Sequence, residues 1–382
     1  NENIMKSIIL LLIGIFTFSC NDSESNLATK KADDSIQKTI DQNAKALLSD
    51  QKISALSISV YKNGKTYMRH FGELDKGKGN PPNDSTIYEI ASVSKSFVGT
   101  LVAQAVLDKK LNLEDDIRTH LKGDFSNLEF QGYPITIKHL ITHTAGFPRF
   151  FPTSVNDLFN NIDENLPFRI YDIEKEYSRE EFLNDLQHIS IDVIPGTSYR
   201  YSNADVELIA HILENVYSLS FEQLLQKYIC KESHMTNTKV HLASKELDRL
   251  ANGYGEANNK VPHFANTLWG AGSGIKSTPS DLINYMKLQL EKDNEVINES
   301  HRILYAEDDI HMGYLWPIFN DAEDGVYYNI HGGAFGTQNF LKILPKYNLG
   351  ISIITNQSGP ETQGKLLSTL NNLLLEIKRS HD

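Results

Sequence analysis

The chain has 382 residues, of which 40% are hydrophobic and 23% are charged, an ordinary globular composition. The formal net charge is −12 and no basic patch stands out, which argues against nucleic acid as a partner. The two cysteines, Cys20 and Cys230, are too few for a disulfide framework or a multi-cysteine metal site.

The N-terminus has the pattern of an export signal. A charged start at Met5-Lys6 is followed by an apolar run, Ile8 to Phe16, that is too short to span a bilayer. Cys20 stands directly after Phe18-Ser19, which resembles a bacterial lipobox. We therefore expect residues 1–20 to be a lipoprotein signal peptide and Cys20 to carry the lipid, so that the protein is extracytoplasmic and membrane-anchored. The alternative is a plain signal peptide with a fortuitous cysteine.

The next segments predict a tether, a helix and a hairpin. Residues 21–35 are polar and indicate a tether, and Ser35 to Leu48 has helical periodicity. Ile53 to Tyr61 alternates between apolar and polar residues, and Asn63-Gly64 then leads into Tyr67 to Phe71. Two such runs joined by Asn-Gly predict a β-hairpin.

The middle of the chain is mostly helical. Helical spacing begins at Ser92 and recurs in three further segments, Ile137 to Thr142, Arg179 to Leu186 and Ala204 to Val216. Residues 156–181 are acidic and show no clear periodicity, so we expect an irregular surface loop or lid there.

The C-terminal part returns to strands. Gly270 to Gly274 predicts a tight loop before a helix that has Pro279 just inside its start. Three strands and a last helix follow, at Tyr327 to Ile330, Gln338 to Leu344, Gly350 to Thr355 and Gln363 to Lys378. We expect one α/β (α+β) domain over residues 36–378. Residues 36–91 and 265–378 would form its α/β part, and residues 92–264 a mostly helical insertion.

Ser92-Val93-Ser94-Lys95 is the first motif with catalytic potential. Residues three apart on a helix share a face, with Cβ atoms roughly 5–6 Å apart, so Lys95 can reach the Ser92 hydroxyl. Serine needs such a neighbouring base because it is a weak nucleophile on its own. A capping serine followed by a solvated lysine is the ordinary alternative.

Two further motifs are weak when taken singly. Tyr201-Ser202-Asn203 follows a turn and precedes a helix. Tyr201 can serve as a base there, and the ordinary alternative is a buried aromatic residue beside a helix cap. His331-Gly332-Gly333-Ala334 lies between two predicted strands. Glycine there lets a ligand or another backbone approach closely, or it simply makes a turn.

Together and in this order, the three motifs resemble the serine β-lactamase and penicillin-binding-protein superfamily, in its class C-like branch. Tyr88 to Ala91 is similar to the strand that enters the nucleophile helix, and Ile135 to Gly146 to that branch's hallmark segment. Leu268 to Leu282 is similar to its glycine loop before a helix. The resemblance implies an antiparallel sheet flanked by helices, with an inserted helical domain.

The resemblance also implies roles for individual residues. Ser92 would form an acyl-enzyme, and Lys95 and Tyr201 would transfer the proton. The backbone N–H groups of Ser92 and Ala334 would form the oxyanion hole, and Asn203 would position Lys95 and the substrate. His143, within the hallmark segment, is expected to be structural. No metal or organic cofactor is implied.

The third motif departs from the Lys-Thr-Gly that β-lactamases and carboxypeptidases usually carry, because His331 and Gly332 occupy the first two positions. With Gly333, these residues are the expected substrate-binding strand. Histidine is mostly neutral above its ordinary pKa near 6.5, and glycine has no hydroxyl, so both grips on a substrate carboxylate are weakened. An ester or peptide-like substrate is therefore favoured over a β-lactam.

Other functions remain open at this point. One is a periplasmic peptidase for D-amino-acid peptides, or a D-Ala-D-Ala carboxypeptidase; another is a class C-like β-lactamase. A different class is a non-catalytic sensor or binding protein that is acylated or only holds a ligand.

Overall fold

The computed structural model describes residues 20–50 and 52–379, so the predicted signal peptide lies outside the described residues except for Cys20. The helices are α1 (Cys20–Leu48), α2 (Ser94–Leu107), α3 (Ile137–Ile141), α4 (Ser154–Leu158), α5 (Leu166–Glu174), α6 (Arg179–Leu186), α7 (Asn203–Tyr217), α8 (Phe221–Leu225), α9 (Pro279–Gln289), α10 (Glu295–Ser300) and α11 (Thr362–Arg379). None of these described helices is long and apolar enough to cross a membrane.

The strands are β1 (Ala55–Lys62), β2 (Lys65–Gly72), β3 (Tyr88–Glu89), β4 (Glu129–Phe130), β5 (Tyr133–Pro134), β6 (Gly253–Tyr254), β7 (Lys260–Val261), β8 (Lys276–Ser277), β9 (Tyr305–Glu307), β10 (Ile310–Met312), β11 (Ile318–Asp321), β12 (Gly325–Gly333), β13 (Gln338–Leu344) and β14 (Leu349–Thr355). Six of them form one antiparallel sheet in the order β11-β12-β13-β14-β1-β2. The predicted fold class is confirmed.

The hairpin at the edge of this sheet forms as its turn residues dictate. β1 and β2 pair from Lys62 opposite Lys65, which leaves Asn63 and Gly64 as the two turn residues. Both have positive φ, 49° and 87°. A two-residue turn with positive φ at both positions matches the twist of the strands, and asparagine and glycine adopt it at low cost. β1 can then pair with β14 on its other side, which joins the two ends of the chain.

Helices cover both faces of the sheet. On one face, α1 and α11 bury Ile36, Ile40, Leu366 and Leu370 against apolar side chains of β1, β13 and β14. On the other face, α2, α7 and α9 and the segments between them form the larger core. All six strands of the sheet lie outside residues 92–264, where the described strands have two residues each. The helical insertion therefore sits on one side of a sheet built from both ends.

Two segments differ from expectation. Residues 21–35, predicted as a separate tether, are part of α1 (Cys20–Leu48), and no glycine or proline interrupts them. Residues 156–181 are not irregular: they contain the end of α4, all of α5 and the start of α6. In α5, Pro167 stands near the N-terminus, and Leu166 and Ile170, four residues apart, are buried on one face.

Candidate active site

Ser92, the predicted nucleophile, lies on a sharp turn between strand and helix. β3 pairs with β8, and Ala91 then adopts a left-handed conformation with φ 47°. Ser92 follows in a single 3₁₀ turn, and α2 begins at Ser94, two residues later than the sequence predicts. A left-handed alanine costs roughly 1–2 kcal/mol, and such strain is typical of functional turns. The turn leaves Ser92 partly exposed while its neighbours Ala91 and Val93 are buried.

Lys95 is fixed by three acceptors. Its side chain is only 1% exposed. Its Nζ donates to Ser92 Oγ at 3.1 Å, to Asn203 Oδ1 at 2.7 Å and to the Gly272 carbonyl at 2.5 Å. An ammonium has three protons to donate, so each has a partner here. The predicted contact between Ser92 and Lys95 is present, and Asn203 contacts Lys95; its predicted role toward the substrate stays a prediction.

Tyr201 completes the group around Ser92. Its hydroxyl lies 2.7 Å from Ser92 Oγ, and Lys95 Nζ lies 4.9 Å from the centre of its ring. Tyr201 precedes α7, whose N-terminus is capped by Ser202, with its Oγ accepting from the Asp205 N–H. The cap holds the end of the helix, and so it fixes Asn203 and Tyr201 on either side of Ser202.

The hallmark segment supports the tyrosine from below. Two backbone hydrogen bonds, from the N–H groups of Arg200 and Asn203, and one from the Ser202 hydroxyl tie residues 200–203 to residues 143–149. The His143 ring packs 4.7 Å from the Tyr201 ring, and its Nδ1 lies 2.9 Å from Asp205 Oδ2. Burial lowers the pKa of His143 to about 3 and raises that of Asp205. This buried pair packs against Tyr201 and makes no hydrogen bond to Ser92.

Glu207 holds the glycine loop that binds Lys95. Its carboxylate accepts from the N–H groups of Trp269 at 3.0 Å and Gly272 at 2.8 Å. A Cβ at Gly272 would lie 3.2 Å from Glu207 Oε1, so glycine allows this close fit. Because the Gly272 carbonyl accepts from Lys95, Glu207 acts on Lys95 through the loop. The sequence predicted the tight loop but did not identify Glu207.

The third motif forms the end of β12, and its residues divide into two groups. Gly333 and Ala334 line the cavity beside Ser92, whereas His331 and Gly332 do not. His331 Nε2 lies 2.6 Å from Gln338 Oε1, and burial lowers the pKa of His331. The predicted neutral histidine is therefore supported, but its ring faces Gln338.

Gly332 is pressed against the nucleophile turn. A Cβ there would lie 2.2 Å from the Ile90 carbonyl oxygen and 2.5 Å from Asn339 Nδ2. Asn339 donates to the carbonyls of both Ile90 and Gly332, at 3.1 and 3.0 Å. The space that a threonine side chain needs is thus already filled. Beyond β12, the Ala334 N–H donates to the Thr337 carbonyl at 2.8 Å, a bond that an oxyanion would have to replace.

A cavity of about 390 Å³ opens beside Ser92 and is mainly apolar. Tyr201, Asn203 and Ala334 lie on its wall with Ser92. Its apolar lining comes largely from the segment that includes α4 and α5 and from two loops: Phe150, Phe151, Phe159, Leu166, Ile170, Phe182, Phe264, Leu268 and Phe335. A cavity of this size and lining suits a small ligand with an apolar portion.

Besides Glu207, two charged side chains on this cavity were not identified from the sequence. Arg149 is exposed, and its guanidinium lies 5.2 Å from the ring centre of Phe150 and 5.7 Å from that of Tyr201. Every arginine between residues 69 and 302 except Arg149 lies within 4.0 Å of a carboxylate. Arg149 has no such partner among the described residues. Glu174, at the end of α5, is the second.

Comparison with known proteins agrees with this geometry. A β-lactamase of Pseudomonas fluorescens is 27% identical over 294 residues, which cover 74% of this chain and 75% of the relative. A β-lactamase of Providencia stuartii is 23% identical over 379 residues, covering 90% and 92%. Protein flp of Staphylococcus aureus strain N315 is 28% identical over 362 residues, covering 92% and 69%.

Solved structures show the same fold. A β-lactamase/D-alanine carboxypeptidase from Yersinia pestis, complexed with citrate, superposes with a TM-score of 0.76 at 20% identity, covering 90% of this chain and 98% of that one. A class C β-lactamase gives 0.75 at 19% identity, covering 89% and 96%. The family model described as Beta-lactamase matches residues 40–376. The predicted resemblance is therefore confirmed, and the chain belongs to the Beta-lactamase family of serine hydrolases.

Proposed function

We propose that the protein hydrolyses ester or peptide-like acyl substrates through an acyl-enzyme on Ser92. The observation that carries this proposal is the placement of Ser92 Oγ, 2.7 Å from the Tyr201 hydroxyl and 3.1 Å from Lys95 Nζ. A nucleophile within hydrogen-bond reach of its base, and a base that is itself oriented by further groups, is the arrangement that activated serines require.

The reaction would proceed in two steps. Ser92 Oγ attacks the acyl carbon, its proton passes to the Tyr201–Lys95 pair, and the pair protonates the leaving alcohol or amine. Water then attacks the acyl-enzyme and gives a proton to the same pair, and Ser92 recovers its proton as the acid product leaves. Backbone N–H groups of Ser92 and Ala334 would stabilise the oxyanion, a contribution of about 3–4 kcal/mol per donor.

Two observations support an ester over a β-lactam. The cavity beside Ser92 is lined mostly by phenylalanine, leucine and isoleucine, which suits an acyl chain. The β12 strand offers a neutral His331 and a glycine at 332, so it lacks the side-chain grip on a carboxylate that Lys-Thr-Gly provides.

The test compares p-nitrophenyl butyrate with nitrocefin. We expect clear hydrolysis of the ester, slower turnover of nitrocefin, and loss of both activities in Ser92→Ala. Nitrocefin turnover at the rate of a dedicated β-lactamase would overturn the ester preference. A stable acyl adduct in the mass spectrum that never turns over would instead support the sensor hypothesis.

A D-Ala-D-Ala carboxypeptidase is the second candidate, and Arg149 is the observation that favours it. An unpaired guanidinium on the cavity wall can bind a carboxylate through two parallel N–H bonds, which compensates for the altered β12 motif. Release of D-alanine from a D-Ala-D-Ala peptide, faster than ester hydrolysis, would make this the principal activity.

We also propose that Cys20 carries a lipid that anchors the protein outside the cytoplasm. The apolar run before Cys20 and the polar residues after it support this. Expression in a bacterium fed an alkyne fatty acid should label the wild-type chain and leave Cys20→Ala unlabelled. Equal labelling of both chains, or of neither, would contradict the proposal.

A further inference from the structure

One carboxylate on the cavity wall has no partner. Glu174 is the last residue of α5, and its carboxylate makes no hydrogen bond or ion pair with any described residue. Its backbone is nevertheless fixed, because Thr267 Oγ1 donates to the Glu174 carbonyl at 2.9 Å. The neighbouring Lys175 is bonded to Asp172 instead, at 2.7 Å. Glu174 is therefore held at the cavity but left uncompensated.

The surroundings make this charge unfavourable in the absence of a ligand. The C-terminal end of a helix carries partial negative charge, which disfavours a carboxylate there. Apolar side chains also line the cavity, among them Ile170, which lies one helical turn before Glu174 in α5. Burial, and then the charge of Glu207, raise the pKa of Glu174 to about 7. Glu207 adds like charge and does not compensate Glu174, and its own carboxylate is bound by two backbone N–H groups.

An unpaired, partly buried carboxylate that opens into a ligand cavity is a recognition group for a cation. A positive charge on the ligand would replace the missing partner, and neighbouring aromatic rings stabilise an ammonium group further. We propose that Glu174 selects substrates that carry an ammonium group on the portion occupying the cavity, an inference that rests on the hydrolase function proposed above. Glu174 is then a specificity-determining residue for an amino-substituted ester or peptide.

The experiment uses p-nitrophenyl esters that differ only in charge. One series has ω-trimethylammonio acyl chains, and the other has the neutral isosteres with a tert-butyl group in place of the ammonium. Chains of three to seven methylenes place the charge at different depths of the cavity. The ratio of kcat/KM for the cationic ester to that for its isostere is measured in wild type, Glu174→Gln and the control Glu176→Gln, which changes an exposed residue outside the cavity.

We expect the ratio at the best chain length to fall at least tenfold in Glu174→Gln and to stay unchanged in Glu176→Gln. The neutral isostere should be hydrolysed within threefold of the wild-type rate by both variants. An unchanged ratio in Glu174→Gln, or an equal loss for cationic and neutral esters, would overturn the inference.

The pH dependence gives a second readout. Glu174 becomes a carboxylate as pH rises through about 7, so the wild-type ratio should rise over that range. The other titratable groups that line the cavity are Arg149, Tyr177, Tyr201 and Glu207, and the permanently charged ester does not titrate. The Glu174→Gln ratio should show no such rise. A similar rise in that variant would assign it to one of the other groups and count against the inference.

Failure of this inference is distinguishable from failure of the proposed function. If no ester is hydrolysed, calorimetry on Ser92→Ala still measures whether the cationic ester binds more tightly than its isostere. Tighter binding that disappears in the Ser92→Ala, Glu174→Gln double variant would support recognition by Glu174 without turnover. Equal binding of both esters would contradict it.

Discussion

Two parts of the active site differ in whether their polar groups have partners. We call the hydrogen-bonded group of Ser92, Lys95, Tyr201, Asn203 and Glu207 the floor, and the part of the cavity lining that carries Arg149 and Glu174 the wall. On the floor, Lys95 has three acceptors, Ser92 has two partners, and Asn203 and Glu207 each bind a neighbour. On the wall, Arg149 and Glu174 have charges without ionic partners among the described residues. A network in which every polar group has a hydrogen-bond partner is rigid and can act on any acyl substrate. Charges without ionic partners favour a ligand of opposite charge. We therefore expect the chemistry to depend on the floor and the selectivity to depend on the wall.

Removal of a floor group should have the largest effect and should not depend on the substrate. Tyr201→Phe deletes the hydroxyl 2.7 Å from Ser92 Oγ, so kcat should fall about a hundred- to ten-thousand-fold for every ester tested. Tyr199→Phe, a nearby change in the same turn, is the control and should stay near wild type. A loss of kcat confined to one substrate would show that Tyr201 recognises that substrate and is not part of the general catalytic machinery.

Glu207→Gln tests the support beneath the floor. Glutamine has one acceptor oxygen where glutamate has two, so one of the two bound N–H groups loses its partner at a cost of about 1–3 kcal/mol in unfolding free energy. The loop would shift under Lys95, and kcat should fall about tenfold. Glu222→Gln is the control. Glu222 accepts from the N–H groups of Val240 and His241 through one oxygen and from the Gln226 amide through the other, so this substitution also removes an acceptor, away from the cavity.

Urea unfolding and steady-state kinetics on both variants separate the two effects. Both should lose stability, and only Glu207→Gln should lose kcat. If Glu222→Gln loses as much kcat, then stability alone explains the result and Glu207 has no special link to Lys95.

Gly332→Thr tests whether the end of β12 can accept the threonine of the usual Lys-Thr-Gly motif. The added Cβ would overlap the Ile90 carbonyl, so we expect a loss of about 1–3 kcal/mol in unfolding free energy and no gain in nitrocefin turnover. Gly364→Thr, where nothing lies within 4 Å, should be nearly neutral. A stable Gly332→Thr variant with raised nitrocefin activity would contradict the steric explanation for the glycine.

The smallest effect is expected from Arg149→Gln, on the wall. Because Arg149 is exposed, solvent and salt weaken its interactions, and we expect about a tenfold loss at low ionic strength. That loss should be confined to substrates with a free carboxylate, such as p-nitrophenyl hemisuccinate. Arg169→Gln, outside the cavity, is the control. Equal losses for hemisuccinate and butyrate esters would remove Arg149 from substrate recognition.

The floor and the wall also differ in how well their residues could be predicted from the sequence. Ser92 and Lys95 are three residues apart, and Tyr201 and Asn203 flank one capping serine. Local spacing made these residues candidates, and the family resemblance of the three motifs taken together implied their roles. Strand and helix positions followed from periodicity in the same way, including β13 at Gln338–Leu344. The helix α5 was missed although Leu166, Ile170 and Ile173 have helical spacing, because the many acidic residues around them obscure it.

The charged residues of the wall could not be predicted from the sequence, for a different reason. Arg149 and Glu174 are ordinary surface charges in the sequence, and they matter only because folding leaves them without partners at one cavity. Glu207 was missed because its role depends on contact with residues 269–272, more than sixty positions away. Such information is tertiary and requires the structure.

The close packing of Gly332 against Ile90 also constrains how this enzyme can evolve. Asn339 fills the space that a threonine at 332 would need, and it bonds both backbones there. A single substitution at 332 would therefore pass through a destabilised intermediate, and a smaller residue at 339 would first lose two hydrogen bonds. Acquisition of the Lys-Thr-Gly motif requires coordinated changes on β12 and β13, so selection with β-lactam antibiotics should find other routes in this protein first.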